Sequence, residues 1–272
     1  MKISTSEKRR AFRKLHEGDC FLMPNPWDVG SAVALERLGF AAVASTSAGM
    51  AWSLGRADNS TPLAEVVAHL AALASAVDIP LNADFENGFA DEPKQVGENV
   101  ALAVDAGVAG LSIEDSTGEP DAPLYDFALA VERVAAARRA IDAADAEVVL
   151  TARSEGFIAG RPDLEETLRR LRAYAEAGAD CLYAPGLREE AQIAGVVGAL
   201  APRPVNVLTL GLPVTRLAAL GVRRISVGGS LARAAWGEFF RAAREMADEG
   251  GFASFSRATA GRELNQLFAS RS

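Results

Sequence analysis

A chain of 272 residues, 49% hydrophobic and 24% charged, is long and apolar enough to build a substantial core. Its net charge of −8 argues against nucleic acid or an anionic membrane as a partner. Two distant cysteines, Cys20 and Cys181, argue against a disulfide framework, and no run of about 18 apolar residues marks a membrane span.

In chain order, a basic helix is expected over residues 5–17, with no apolar signal-peptide core before it, which suits a reducing, cytoplasmic setting. Eight short apolar runs then read as strands, at 20–23, 41–44, 81–84, 110–113, 148–151, 181–184, 205–208 and 225–227. Helical patterns follow them, for example over 63–76, 96–106, 126–140, 164–177 and 231–247. Asp163 with Glu166 has the spacing of a capping box. One unit recurs: a helix closes on glycine (Gly39, Gly107, Gly178, Gly221) and a strand starts a few residues later. Glycine suits the left-handed position just past a helix end. The nearly continuous apolar strands suit a parallel sheet buried on both faces.

Eight such units in about 250 residues predict an α/β fold of the (β/α)8 TIM-barrel type. The expected organisation is one barrel domain over 1–272: an N-terminal extra helix (1–18), the barrel (19–248) and a C-terminal helical extension (249–272). An open doubly wound sheet would want a glycine-rich fingerprint after the first strand, where Pro24-Asn25-Pro26-Trp27-Asp28 stands instead. Phe252, Phe255, Leu264 and Leu267 give the tail an apolar character that needs a partner, either the barrel or another subunit.

Charge falls at the ends of three successive strands. Asp84 and Glu86 end one, Glu114 and Asp115 the next, and Arg153 and Glu155 the third. A fold has no need of charge there, whereas a hard divalent cation with an anionic ligand does. Other chemistries lack their residues. None of Lys2, Lys8, Lys14 and Lys94 lies on a predicted strand, against a Schiff-base mechanism. His16 precedes the first strand and His69 lies inside a helix, against a histidine-rich zinc site. Both read as surface or packing residues.

These residues resemble the isocitrate lyase and phosphoenolpyruvate mutase superfamily. The similarity runs from about Leu22 to about Phe255 and is carried by Asn25-Pro26-Trp27-Asp28, Ser45-Thr46-Ser47-Ala48-Gly49, Gly55-Arg56-Ala57-Asp58, Asn82-Ala83-Asp84-Phe85-Glu86-Asn87-Gly88-Phe89, Ile113-Glu114-Asp115 and Thr151-Ala152-Arg153. The resemblance implies a Mg²⁺-binding barrel (Mn²⁺ being an alternative) that acts on a 2-oxo or enol carboxylate. By it, Asp84 is the direct metal ligand, with Glu86, Glu114 and Asp58 acting through water. Arg153, Asp58 and Glu114 are the catalytic candidates. Arg153 pairs with the substrate carboxylate, the Thr46, Ser47 and Ala48 amides hold its other oxygens, and Trp27 and Asp28 line the pocket. It further implies a homo-oligomer, a dimer or tetramer with swapped eighth helices.

Departures from the family pattern bear on the reaction. The loop from Ser116 to Tyr125 has no Cys, Lys or His, so the acid that completes isocitrate or 2-methylisocitrate cleavage is missing. The mutase's strand-six histidine falls at about Pro185. The readings kept open are C–C cleavage beside a 2-oxo acid (decarboxylation first, then retro-aldol or retro-Claisen cleavage), P–C bond chemistry, and a non-catalytic 2-oxo acid-binding barrel. Open too are Arg153 as a structural ion pair with Glu155 or Asp115, Gly228-Gly229-Ser230 as phosphate cradle or packing, and Tyr125 or Tyr183 as proton donor or packing residue.

Overall fold

The computed structural model describes residues 2–144, 146–208 and 211–269. Eight parallel strands form one sheet: β1 (Phe21–Met23), β2 (Val43–Ala44), β3 (Leu81–Asp84), β4 (Gly110–Glu114), β5 (Val149–Arg153), β6 (Cys181–Tyr183), β7 (Val205–Leu208) and β8 (Arg224–Ser226). They are ordered β1-β8-β7-β6-β5-β4-β3-β2. The two ends of the sheet meet where Ala44 N–H donates to the Pro24 carbonyl at 3.0 Å. The result is a nearly closed (β/α)8 barrel.

Helices follow every strand: α2 (Val29–Arg37), α3 (Ser47–Ser53) with α4 (Leu63–Ala76), α5 (Pro93–Asp105), α6 (Phe127–Ala143), α7 (Leu164–Glu176), α8 (Glu190–Leu200), α9 (Val214–Ala219) and α10 (Ser230–Arg244). The expected extra helix is α1 (Thr5–Glu17), and the extension ends in α11 (Gly261–Phe268), which lies against α2. No helix among the described residues is long and apolar enough to cross a membrane.

Two local expectations are corrected. The last barrel helix stops at Arg244 and passes into a π turn, Glu245–Glu249, rather than running to 247. The Asp163 carboxylate does cap α7 through Glu166 N–H, but the box is not reciprocal, because Glu166 spends its carboxylate on Arg169 and Arg170. The barrel interior is partly polar. Leu81, Ala83, Leu111, Ile113, Leu150 and Ala152 turn outward into the helix layer. Their alternating neighbours Asn82, Ser112 and Thr151 face the other way, since successive strand side chains take opposite faces.

A second, smaller cluster closes the floor of the barrel, with Phe12 of α1 among Phe21, Met23, Ala44, Val149 and Cys181. Helix α1 is pinned there by Arg9, whose Nε donates to the Val108 carbonyl at 3.0 Å, and by Lys8, whose Nζ donates to the Ala74 carbonyl at 2.8 Å. Gly110 permits this close approach, because a Cβ at that position would lie 2.4 Å from the Phe12 ring. Just above sits Arg224, 1% exposed, bonded to Asn206 Oδ1 and Thr151 Oγ1 (both 2.9 Å) and to His16 Nε2 (3.3 Å). Its hydrogen-bond partners are thus all uncharged acceptors.

Candidate active site

The strands discharge their charged ends into a cavity of about 320 Å³. Its wall includes Asp58, Asp84, Glu86, Glu114, Arg153 and Glu155. In a parallel barrel this is the C-terminal face, where loop residues are free to vary without disturbing the core. Register brings the charges together: Glu114 and Arg153 are direct neighbours across β4 and β5. Arg153 then reaches three acids, with Nη1 to Asp84 Oδ1 at 2.9 Å, Nη2 to Glu114 Oε2 at 3.1 Å and Nε to Glu155 Oε1 at 2.8 Å.

Glu86 enters by a different device. It stands two residues past β3 with φ at 46°, in the left-handed region that a side chain adopts at a cost of about 1–3 kcal/mol. Its carbonyl accepts Glu114 N–H at 2.9 Å, which ties the turn to the next strand. Asp58 comes from the loop between α3 and α4 and accepts Asn59 N–H at 3.0 Å.

This is more acid than one guanidinium balances. Burial, with Asp84 and Asp58 alongside, pushes Glu86 up to about 8. Burial also raises Asp58, Glu114 and Glu155, against the pull of Arg153. Burial works against the Arg153 cation as well, but Glu114, Glu155 and Asp84 outweigh it and keep the guanidinium charged.

Of the residues expected here, Asp58, Asp84, Glu86, Glu114, Arg153, Thr46, Ser47 and Ala48 share the cavity wall. Trp27 and Asp28 are not among its lining residues. Asp28 instead caps α2, its carboxylate accepting Ser31 N–H at 2.7 Å. Ser47 N–H donates to Asp84 Oδ2 at 3.1 Å, and Thr46 Oγ1 caps α3. The ion pair open between Arg153 and Glu155 forms, whereas Asp115 pairs with Arg170 (3.0 Å) and accepts from Tyr174 (2.6 Å). Tyr183 lines the cavity with the Arg153 guanidinium over its ring. Tyr125 does not line it, and its hydroxyl donates to Asp91 at 2.6 Å. The Gly228 amide donates to Asn25 Oδ1 at 2.9 Å and a Cβ on Gly229 would lie 3.1 Å from Trp52, while both glycines also line the cavity.

Asn25, Ser45 and Asn206 also line the cavity. Asn25 bridges the Ser45 carbonyl (2.9 Å) to the β8 turn, and Ser45 Oγ accepts Asp84 N–H at 2.8 Å. Their signal in the sequence is a polar residue at the end of an apolar run, which marks a wall position without naming a role.

Among the described residues no three acids, histidines or cysteines form a ready-made metal cage. The donor set nonetheless fits a hard cation that takes one or two carboxylates and keeps several waters. The surplus of carboxylates over cations, and the upward push on Glu86 that follows from it, are what such an ion would relieve.

A carboxylate-and-arginine mouth at the C-terminal face of a (β/α)8 barrel places the chain among barrel enzymes that act on small anions. Within that class the chain belongs to the phosphoenolpyruvate phosphomutase family, whose model matches residues 12–247. It is a lyase-type enzyme of the isocitrate lyase and phosphoenolpyruvate mutase superfamily. It is 30% identical to an oxaloacetate decarboxylase from Ectopseudomonas mendocina over 239 residues, 84% of this chain and 80% of the relative. A solved structure from Burkholderia cenocepacia J2315, provisionally described as a lyase or mutase, is 46% identical with a TM-score of 0.95 over 98% of each chain. A phosphonopyruvate hydrolase solved with oxalate and Mg²⁺ is 27% identical, with a TM-score of 0.85 over 96% of this chain and 94% of that one.

Proposed function

We propose that this enzyme is a Mg²⁺-dependent carbon–carbon lyase of the cytoplasm that acts on a small 2-oxo dicarboxylate and cleaves the C–C bond adjacent to its 2-oxo acid unit, the bond beta to the carbonyl, so that the electron pair left behind is delocalised as an enolate. The carrying observation is Arg153, set among Asp84, Glu114 and Glu155 beside the further acids Asp58 and Glu86. Asp84, with Glu86, Glu114 and Asp58 through water, would hold the cation. A bound divalent cation would supply the sink for negative charge developing on the 2-oxo oxygen.

Arg153 offers a planar fork for the substrate carboxylate and aligns the scissile bond. Amides of the Thr46–Ala48 turn stabilise the developing oxyanion. Glu114 and Glu155 keep Arg153 oriented. Decarboxylation ranks first because it needs only a charge sink and a late proton, which water can deliver, and the loop 116–125 carries no cysteine, lysine or histidine to act as acid. Retro-aldol or retro-Claisen cleavage ranks second.

The test is a turnover screen with Mg²⁺ against oxaloacetate, 2-methylisocitrate, isocitrate, phosphonopyruvate and substituted 2-oxo diacids, with product mass read out. EDTA and Asp84→Ala serve as controls. Metal-dependent pyruvate release from a diacid, lost in Asp84→Ala, is expected. Consumption of phosphonopyruvate alone would move the assignment to P–C bond chemistry, and survival of every compound would end the lyase reading.

We also propose a homo-oligomer, a dimer or tetramer in which the eighth barrel helix, α10, is exchanged between subunits. Supporting it, Trp236 stacks on Phe240 along α10, while Phe239 and Phe240 are 58% and 47% exposed in the single chain.

A further inference from the structure

Two buried polar atoms behind the site lack a hydrogen-bond partner among the described residues: Thr61 Oγ1 and His69 Nε2. Buried polar atoms of folded chains are nearly always bonded, and ordered water serves where no side chain does. Thr61 precedes α4 and is 7% exposed, and His69 lies within α4. Both border a small space of about 10 Å³ that Asp84 and Glu86 also border. Met50, Val66 and Leu70 supply its apolar wall. A space of this size holds about one water, provided polar groups surround it.

The hydrogen-bond count closes. A carboxylate only accepts, whereas a hydroxyl and the N–H of a neutral imidazole donate. One water can accept from His69 and Thr61 and donate its two hydrogens to the two acids. We propose that His69 and Thr61 hold a buried water hydrogen-bonded to the Asp84 and Glu86 carboxylates, and that His69 is thereby a positioning residue for this acid pair. Helix α4 props the site from behind. The prop matters most for Glu86, because Arg153 is engaged by Asp84, Glu114 and Glu155. The arrangement requires the His69 tautomer protonated at Nε2. Its consequence for metal affinity rests on the metal-dependent function proposed above, whereas the water itself does not.

A high-resolution crystal structure of the wild-type chain grown in EDTA tests the water. Density within about 3.2 Å of His69 Nε2, Thr61 Oγ1 and a carboxylate oxygen is expected. A dry space overturns the proposal. Mn²⁺ titration followed by electron paramagnetic resonance tests the positioning role. His69→Leu and Thr61→Val are expected to weaken Mn²⁺ binding about 10- to 100-fold, the usual loss when an outer partner of a ligand is removed. His69→Gln and Thr61→Ser keep a donor and are expected to restore most of it. Wild-type affinity in both His69→Leu and Thr61→Val, or a loss that the conservative variants fail to restore, overturns the role. If His69→Leu does not fold, the Thr61→Val and Thr61→Ser pair decides. A wild-type chain that binds no Mn²⁺ ends the metal-dependent function and leaves the water to be decided by crystallography.

Discussion

Arg153 Nη1 lies 2.9 Å from Asp84 Oδ1, so the residue expected to bind substrate and the residue expected to bind metal hold each other in the free chain. On the proposed metal site, a cation at Asp84 would compete with Arg153, which would retain Glu114 and Glu155. Asp84→Asn should therefore abolish the Mg²⁺-dependent rise in melting temperature and lower turnover by roughly 1,000-fold or more, a loss on the scale of removing a main electrostatic group. Calorimetry with and without Mg²⁺, alongside steady-state rates, checks both. A variant that still gains stability from Mg²⁺ would move the metal elsewhere.

Removing the cation should be worse for the fold than removing an acid. Arg153→Met leaves Glu114 and Glu155 buried without a counter-charge, and breaking a buried pair in this way costs about 3–5 kcal/mol. The orphaned acids then have folded pKa values above their unfolded ones. Their destabilisation grows as pH rises and eases as pH falls and they take up protons. Urea unfolding at pH 5 and pH 8 checks the sign, and an unchanged midpoint at pH 8 would refute it.

His16 gives the opposite pH dependence. Burial first, then the neighbouring Arg224, hold its imidazole down at about 3, against the ordinary 6.5. The native chain keeps it neutral while the unfolded chain protonates it, so its contribution is fully present above pH 6.5 and is lost as pH falls towards 3. Between pH 7.5 and 5 the wild type should lose about 2 kcal/mol more than His16→Gln does. Denaturant titrations of the two proteins at both pH values decide it, and parallel losses would count against a neutral buried ring.

Gly110→Ala should destabilise by about 1–3 kcal/mol through overpacking. The added methyl meets Phe12 at 2.4 Å and Asn82 Oδ1 at 2.7 Å. The cost should shrink in a Phe12→Leu background, because the two positions share one space. Chemical unfolding of the four-protein cycle measures that coupling. Additive costs would mean that α1 does not press on β4.

The aromatic ridge of α10 predicts an assembly. Trp236→Ser with Phe240→Ser removes its stacked pair and should shift the sedimentation coefficient from that of an oligomer to that of a single chain. A wild type that already sediments as one chain would dispose of the exchanged helix.

The strands at 81–84 and 205–208 are legible because Pro80 and Asp84 bound the first run and Pro204 opens the second. The segment between β2 and α4 is harder. Helix α3, which spans seven residues, is too short to show a period, and Thr46 declares itself as a cap only once Gly49 N–H is seen to reach it. Asp84, Glu114 and Arg153 stand out because a strand end has one direction to point. Glu86 stands out by composition alone, since nothing in its neighbours announces the left-handed backbone that turns it inward. Arg224 and His16 are 208 residues apart, and their contact belongs to the closure of the ring, which no local pattern encodes. Asp28 was expected in the wall for its place after β1, but a carboxylate three residues before a free helix N–H finds the cap first.

With α1 laid across the floor and Phe12 fully buried in it, the barrel is a vessel with one door. On the proposed cleavage, the two pieces would leave through the opening by which the whole came in. Helix α1 lines no part of the mouth, yet by stopping the far end it leaves entry and exit to share one passage.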